Sequence, residues 1–305
     1  MFFVFFISSQ VWAKPNYSQV YVFGDSLSDT GNLASVTGPF PSPPFYQNRV
    51  SNGAVAVEVL AEKLGTTAQA SLHLISAEVG SNYAVAGAKA DGIDVIDLPA
   101  QLSIFLANHA YSAPADALYV IFIGGNDIRS ARSILDKSTA RAVLDTSVQQ
   151  IQTTLNTLLI SGAKSFLIIN APDIGALPET QLLSAMLNDP DMPDRATKLS
   201  KYFRNILDDA VESFEENRSI KVFDFDLYKS FNKIIKKSAR YGFTNNNEAC
   251  FSTATLSFNV GCNYGANFNQ YVFFDEIHPT AKVHSMIGKA FYSTLEKEDD
   301  EIEDD

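Results

Sequence analysis

At 305 residues and 46% hydrophobic, the chain can bury a core as one large domain or two small ones, which excludes a disordered or low-complexity protein. The net charge is −12, but residues 296–305, EKEDDEIEDD, hold eight acids against one lysine, so the body of the chain is only mildly acidic. No basic stripe accompanies it, which argues against a nucleic-acid partner, and the acidic run (298–305 at its core) reads as a disordered, solvated tail.

The first thirteen residues, MFFVFFISSQVWA, form an apolar run too short to span a bilayer, ending in the small residue that precedes a signal-peptidase cut. An exported, secreted or periplasmic protein is expected, although the run lacks a basic start; a buried N-terminal strand is the alternative. Export places the two cysteines, Cys250 and Cys262, in an oxidising compartment, where a disulfide is favoured over two free thiols. Closing so short a loop stabilises by about 3 kcal/mol in the chain-entropy treatment.

From Gln19 onward short apolar runs alternate with longer amphipathic ones, the pattern of strands and crossover helices in an α/β parallel sheet. Strands are predicted at Val20–Phe23, Ala117–Ile123, Ser165–Asn170 and Ile220–Phe225, with a weaker one at Asn82–Val85; they lack polar alternation because both sheet faces are covered. Helices are predicted over 52–65 with Asn52 as cap, 99–109, 138–162, 194–217 and 279–297, the last with Pro279 in its first turn. Three stretches break the rhythm: GPFPSPPFYQNR (38–49), 176–192 and 238–272. Irregular connections of such length tend to be functional, and these can gather over the carboxyl ends of the strands, where open α/β sheets bind ligands.

Four short stretches carry candidate chemistry. In FGDSLSD, Ser26 follows a strand and reads either as a nucleophile or as a helix cap. In FFDEIHPT, Asp275 stands three before His278, a spacing that lets the carboxylate hold one imidazole nitrogen while the other accepts a serine proton; Asp275 capping the next helix is the equal alternative. His73, His109 and His284 sit in ordinary packing or surface contexts. In FIGGND, Asn126 is either a donor to a developing oxyanion or a turn residue, and in NYAVAGAKA Gly87 offers either a backbone N–H or close packing on the sheet. Asp275, Glu276 and His278 lack a second histidine at ligand spacing, so no metal is expected, and with no Gly-x-Gly-x-x-Gly or P-loop no nucleotide or other cofactor is expected either.

Taken together and in this order, the four blocks resemble those of the GDSL esterases and lipases of the SGNH hydrolase superfamily, with NAPDIGALP (170–178) similar to a further family segment in which Ile174 replaces leucine. The resemblance covers nearly the whole chain after the leader, residues 16–297. It implies a flavodoxin-like sheet of five parallel strands flanked by helices on both faces. It also implies Ser26 as nucleophile, His278 as general base and acid, Asp275 as its orienting carboxylate, and an oxyanion hole from the Ser26 N–H, the Gly87 N–H and the Asn126 side chain. The chain most resembles the branch of lysophospholipases A, phospholipases A and glycerophospholipid–cholesterol acyltransferases, whose members carry a similar cystine loop. A lysophospholipid or phospholipid is therefore the expected substrate, with transient contact at a membrane surface. Sterol acyl transfer, a short-chain or carbohydrate esterase and a catalytically inactive surface-binding protein are the alternatives. The aromatic residues of PFPSPPFY with Phe251, Phe258, Phe268 and Tyr271 can line an acyl groove or pack a core.

Overall fold

A computed structural model describes residues 16–216, 219–262 and 267–303. The predicted leader, residues 1–13, lies outside them. The chain runs β1 (Val20–Gly24), α1 (Asn32–Thr37), α2 (Ala56–Leu64), α3 (Leu98–Asn108), β2 (Leu118–Phe122), α4 (Gly125–Ala131), α5 (Lys137–Ile160) and β3 (Ser165–Ile169). It continues through α6 (Pro178–Met186), α7 (Met192–Glu215), β4 (Lys221–Phe225), α8 (Leu227–Lys236), β5 (Asn245–Ala249), β6 (Phe251–Ser252), β7 (Ser257–Phe258), β8 (Tyr271–Phe273) and α9 (Ala281–Glu303).

The main sheet holds four parallel strands in the order β1-β2-β3-β4, with Val22 opposite Val120, Val120 opposite Leu167 and Leu167 opposite Phe223. The expected fifth strand, Asn82–Val85, is an extended segment on the free edge of β1. Tyr83 N–H donates to the Val22 carbonyl at 2.7 Å and Val85 N–H to the Gly24 carbonyl at 3.1 Å. It does not form a regular strand because residue 82 is shared: Asn82 N–H donates to Gln69 O, and its own carbonyl accepts from Ser71 N–H and the Asn32 amide. Counting that segment second in chain order, the order is 2-1-3-4-5 with the topological switch beside β1, which places a ligand crevice where β1 and β2 end.

The pleat shows how the layers form. Tyr119 and Phe122 are three residues apart on β2 and so point to opposite faces. Tyr119 meets Phe105 of α3, and its sheet neighbour Phe166 meets Phe214 of α7; Phe122 and Phe225 both meet Phe291 of α9. Helices therefore cover both faces, and the side chains of β1–β3 are buried apart from a partly exposed Tyr21.

The first turn of α9 is capped from the segment that leads into α2, and the first turn of α2 from α9. Asn52, expected to cap α2, instead accepts from Ala281 N–H at the start of α9, while α2 begins only at Ala56. The Ala56 N–H donates in return to Nδ1 of His284 on α9. Helix α9 continues to Glu303, so the backbone of 298–303 is helical where a disordered tail was expected; glutamate is a good helix former, and extending a nucleated helix adds one bond per residue.

Cys250 and Cys262 are joined by a disulfide. Around it Phe268, Tyr271 and Phe274 are buried and Phe45, Phe251 and Phe258 pack against them. Of the two roles open to these aromatics, most take the packing one and form a second small core, because the cystine loop is pinned onto β8 and encloses them, while the partly buried Phe258 also faces a surface groove. Among the described residues, no helix is long and apolar enough to cross a membrane.

Candidate active site

The site is built where β1 and β2 end. After Gly24 the chain closes one tight turn: the Asp25 carbonyl accepts from Ser28 N–H and Asp29 N–H, and the Asp25 carboxylate accepts from Leu27 N–H at 3.0 Å. Ser26 is held inside this turn, six residues before α1, and it is not a helix cap. Its hydroxyl lies 2.7 Å from His278 Nε2. On the other side of the imidazole, Nδ1 lies 2.8 Å from each Asp275 carboxylate oxygen. Asp275 also accepts from the backbone N–H groups of Ile277 and His278 at 2.8 and 2.7 Å, so one carboxylate shapes the turn and holds the ring. Since α9 begins only at Ala281, Asp275 does not cap it.

Asn126 stands in the first turn of α4. The preceding Gly124 has φ +118°, and a Cβ there would lie 2.3 Å from the Phe203 ring, so only glycine lets the chain turn under α7 at this point. The Asn126 Nδ2 group donates to the Ala88 carbonyl at 2.9 Å, leaving its second N–H uncommitted among the described residues. Gly87, at φ +92°, sits between that contact and the Val85 bond to β1. Neither Gly87 N–H nor Ser26 N–H is spent on a protein acceptor among the described residues. Ser26 and Asn126 line one cavity of about 40 Å³ with His278, and Leu27, Phe122 and Ile287 are among its apolar walls; Gly87 is not among the lining residues.

Several residues that organise the site were not singled out in the sequence. Asp29 accepts from Gly31, Asn32, Leu33 and Ala86 N–H groups and so fastens the glycine block to the serine turn. Gln101 of α3 bonds both the N–H and the carbonyl of Gly24. Asp127, next to Asn126, accepts from Ala90 N–H and Ser147; burial above all, and the Asp91 carboxyl beside it, push it up to about 7. Burial likewise pushes Asp25 up to about 6, against the Leu27 N–H and the nearby His278 and Arg129. The signal for these residues was present as polar letters beside the motifs, but only tertiary hydrogen bonds give them meaning.

His284 lines the same cavity and is fully enclosed. Because Nδ1 accepts from Ala56 N–H, the proton of the neutral ring sits on Nε2, which has no partner among the described residues. Burial first, and then His278, bring its pKa down to about 3. The folded state therefore holds a neutral ring while the unfolded chain takes up a proton below about pH 6.5. This contribution to stability is complete above that pH and is lost as the pH falls toward 3. At roughly 1.4 kcal/mol per unit, about 2 to 3 kcal/mol goes between pH 7 and 4.5. His284→Leu is expected to be less stable than wild type at pH 7 yet to lose less between pH 7 and 4.5, read from urea midpoints at the two values.

A hydroxyl, an imidazole and a carboxylate hydrogen-bonded in line, at the carboxyl end of a parallel sheet, are the arrangement of an α/β serine hydrolase. Residues 20–291 match the family of GDSL-like lipases/acylhydrolases, and the chain belongs to that family of carboxylic ester hydrolases. Among curated relatives, a phosphatidylcholine-sterol acyltransferase of Aeromonas hydrophila is 27% identical over 78% of this chain and 67% of its own length. A GDSL esterase/lipase of Arabidopsis thaliana is 27% identical over 95% of this chain and 91% of its own. An inactive GDSL esterase/lipase-like protein of the same plant is 26% identical over 88% and 69%. Among solved structures, an acetylxylan esterase from Geobacillus stearothermophilus shares the fold, with a TM-score of 0.51 at 14% identity over 93% of this chain and 96% of that one.

Proposed function

We propose that the protein is an exported lysophospholipase A or phospholipase A that hydrolyses lipid esters through an acyl group carried on Ser26. The observation that carries this is the line from Ser26 Oγ through His278 to Asp275, with spacings of 2.7 and 2.8 Å. In the first step Ser26 attacks the ester carbonyl, His278 takes its proton and passes it to the leaving alcohol, and Asp275 steadies the imidazolium. The Ser26 and Gly87 N–H groups and the free Asn126 N–H receive the oxyanion. Water, activated by the same imidazole, then releases the fatty acid.

The lipid reading is supported by the apolar walls of the inner cavity and by a surface groove of about 460 Å³ beside Glu276, where Pro178, Leu182, Phe258 and Val260 stand among polar residues such as Asn247, Glu248 and Asn259. Leu182, Met186, Leu256 and Val260 are exposed around this side of the molecule, which suits contact with a membrane surface. The disulfide suits an oxidising compartment and hence export.

Acyl transfer to a sterol is the second reading, favoured by the similarity to the Aeromonas acyltransferase. One panel separates the two: lysophosphatidylcholine and phosphatidylcholine vesicles with and without cholesterol, with fatty acid and cholesteryl ester quantified separately. Fatty acid without sterol ester is expected. Sterol ester as the main product would make the protein a transferase, and turnover confined to acetylated sugars or short-chain esters would overturn the lipid reading.

A further inference from the structure

The Asn126 side chain can act as an oxyanion donor only if its amide is held the right way round, and Ala88 O fixes just one end of it. The other end is fixed by Arg129, one turn further along α4, whose Nη1 donates to Asn126 Oδ1 at 2.7 Å. A carbonyl on one side and a guanidinium on the other make opposite demands on the amide, so only one orientation satisfies both. Arg129 is itself anchored, because Nε and Nη2 donate to the two oxygens of Glu179 at 2.9 and 2.5 Å. Glu179 is shared with Arg132, whose Nη2 lies 2.7 Å away. Burial raises the Glu179 carboxyl, but the two arginines outweigh it and hold the group below its ordinary range, so it stays ionised. Its backbone N–H donates to the carbonyl of Glu276 at 2.8 Å, inside the loop that carries Asp275 and His278.

From this geometry we infer that Arg129 is a positioning residue for the oxyanion hole, orienting and polarising the Asn126 amide and tying it through Glu179 to the loop of Asp275 and His278. The inference rests on the reading of Asn126 as an oxyanion donor. A cation on Oδ1 draws electron density along the amide and strengthens its remaining N–H as a donor. Since charge appears on the substrate oxygen only as the tetrahedral species forms, the benefit falls on turnover more than on binding.

The test is a double-mutant cycle on a soluble p-nitrophenyl ester. Asn126→Ala is expected to lower kcat about 10²- to 10³-fold, as the loss of one oxyanion donor does. Arg129→Met is expected to lower kcat about 10- to 100-fold with KM within about threefold, an upper share of that same donor's worth. Because Arg129 acts through Asn126, the double variant should be no slower than Asn126→Ala alone. Methylguanidine should restore part of the turnover of Arg129→Ala. Glu179→Gln, which loosens the anchor and leaves Arg129 in place, serves as a second variant should Arg129→Met fail to fold; its smaller loss should likewise vanish in the Asn126→Ala background. Losses that multiply across the cycle, or an Arg129→Met enzyme with wild-type kcat, overturn the inference while leaving the oxyanion reading intact. An Asn126→Ala enzyme with unchanged kcat removes the reading itself, and the inference with it.

Discussion

Replacing Ser26 by alanine is expected to lower kcat about 10⁴-fold or more while leaving the fold in place. Among the described residues the Ser26 hydroxyl makes one hydrogen bond, to His278 Nε2, and it is only part-buried, so its removal breaks a single partly solvated contact. The thermal midpoint should shift by only a few degrees, in keeping with a loss of about 1 kcal/mol or less. What disappears is the atom that forms the acyl bond, and the residual rate reflects only the donors around the carbonyl. A fluorophosphonate probe should label the wild type and not Ser26→Ala. If both proteins resist the probe and neither turns over esters, the site is a binding surface built on a hydrolase frame, as the inactive Arabidopsis relative's name describes for that protein. If Ser26→Ala keeps more than about a tenth of wild-type kcat, the nucleophile lies elsewhere.

What the residues disclosed before folding, and what they hid, divides along physical lines. Strands β1 to β3 were legible because burial on both faces leaves bare apolar runs, and β4, an edge strand with Lys221 and Asp224 exposed, was legible from Val222, Phe223 and Phe225; each lies within about a residue of its predicted ends. Strand β5, NNNEA, pairs with β8 but is polar and half exposed, so it carries no such run. Helix α6 hid inside a stretch read as irregular, although Pro178 in its first turn is a helix-start signal. The aromatic residues near the cystine loop show the limit of composition: phenylalanine looks the same in a groove and in a core, and here the disulfide-pinned loop makes it core.

The site divides in the same way. Ser26, Asn126, Asp275 and His278 stand at strand ends in recognisable local patterns, and folding brings the serine, the imidazole and the carboxylate into one line. Arg129 and Glu179 have no local pattern, since they are fifty residues apart and become partners only when α6 packs beside α4. Asn52 illustrates the converse. Its position before an apolar helical run suggested a local cap, yet it caps a helix 229 positions away.

Asp275→Asn should lower kcat about 10³- to 10⁴-fold, and comparison with Asp275→Ala separates chemistry from folding. The carboxylate has two tasks on the same few atoms. One oxygen accepts from Ile277 and His278 N–H groups and forms the turn, while both oxygens face His278 Nδ1. Asparagine retains an acceptor oxygen for the turn, so Asp275→Asn should fold with a thermal midpoint near wild type. Its amide group, however, can donate to Nδ1, which favours the tautomer with the proton on Nε2. That proton points at Ser26, and the imidazole can then no longer accept from the hydroxyl. Alanine removes the turn acceptor as well and leaves the buried His278 N–H unpaired, at a cost of about 1 to 3 kcal/mol, along with the part-buried Ile277 N–H. Asp275→Ala should therefore lose both turnover and several degrees of midpoint, whereas Asp275→Asn loses turnover alone. An Asp275→Asn enzyme within tenfold of wild-type kcat, with its midpoint unchanged, would leave the carboxylate only its role in the turn and require His278 to be oriented by something else.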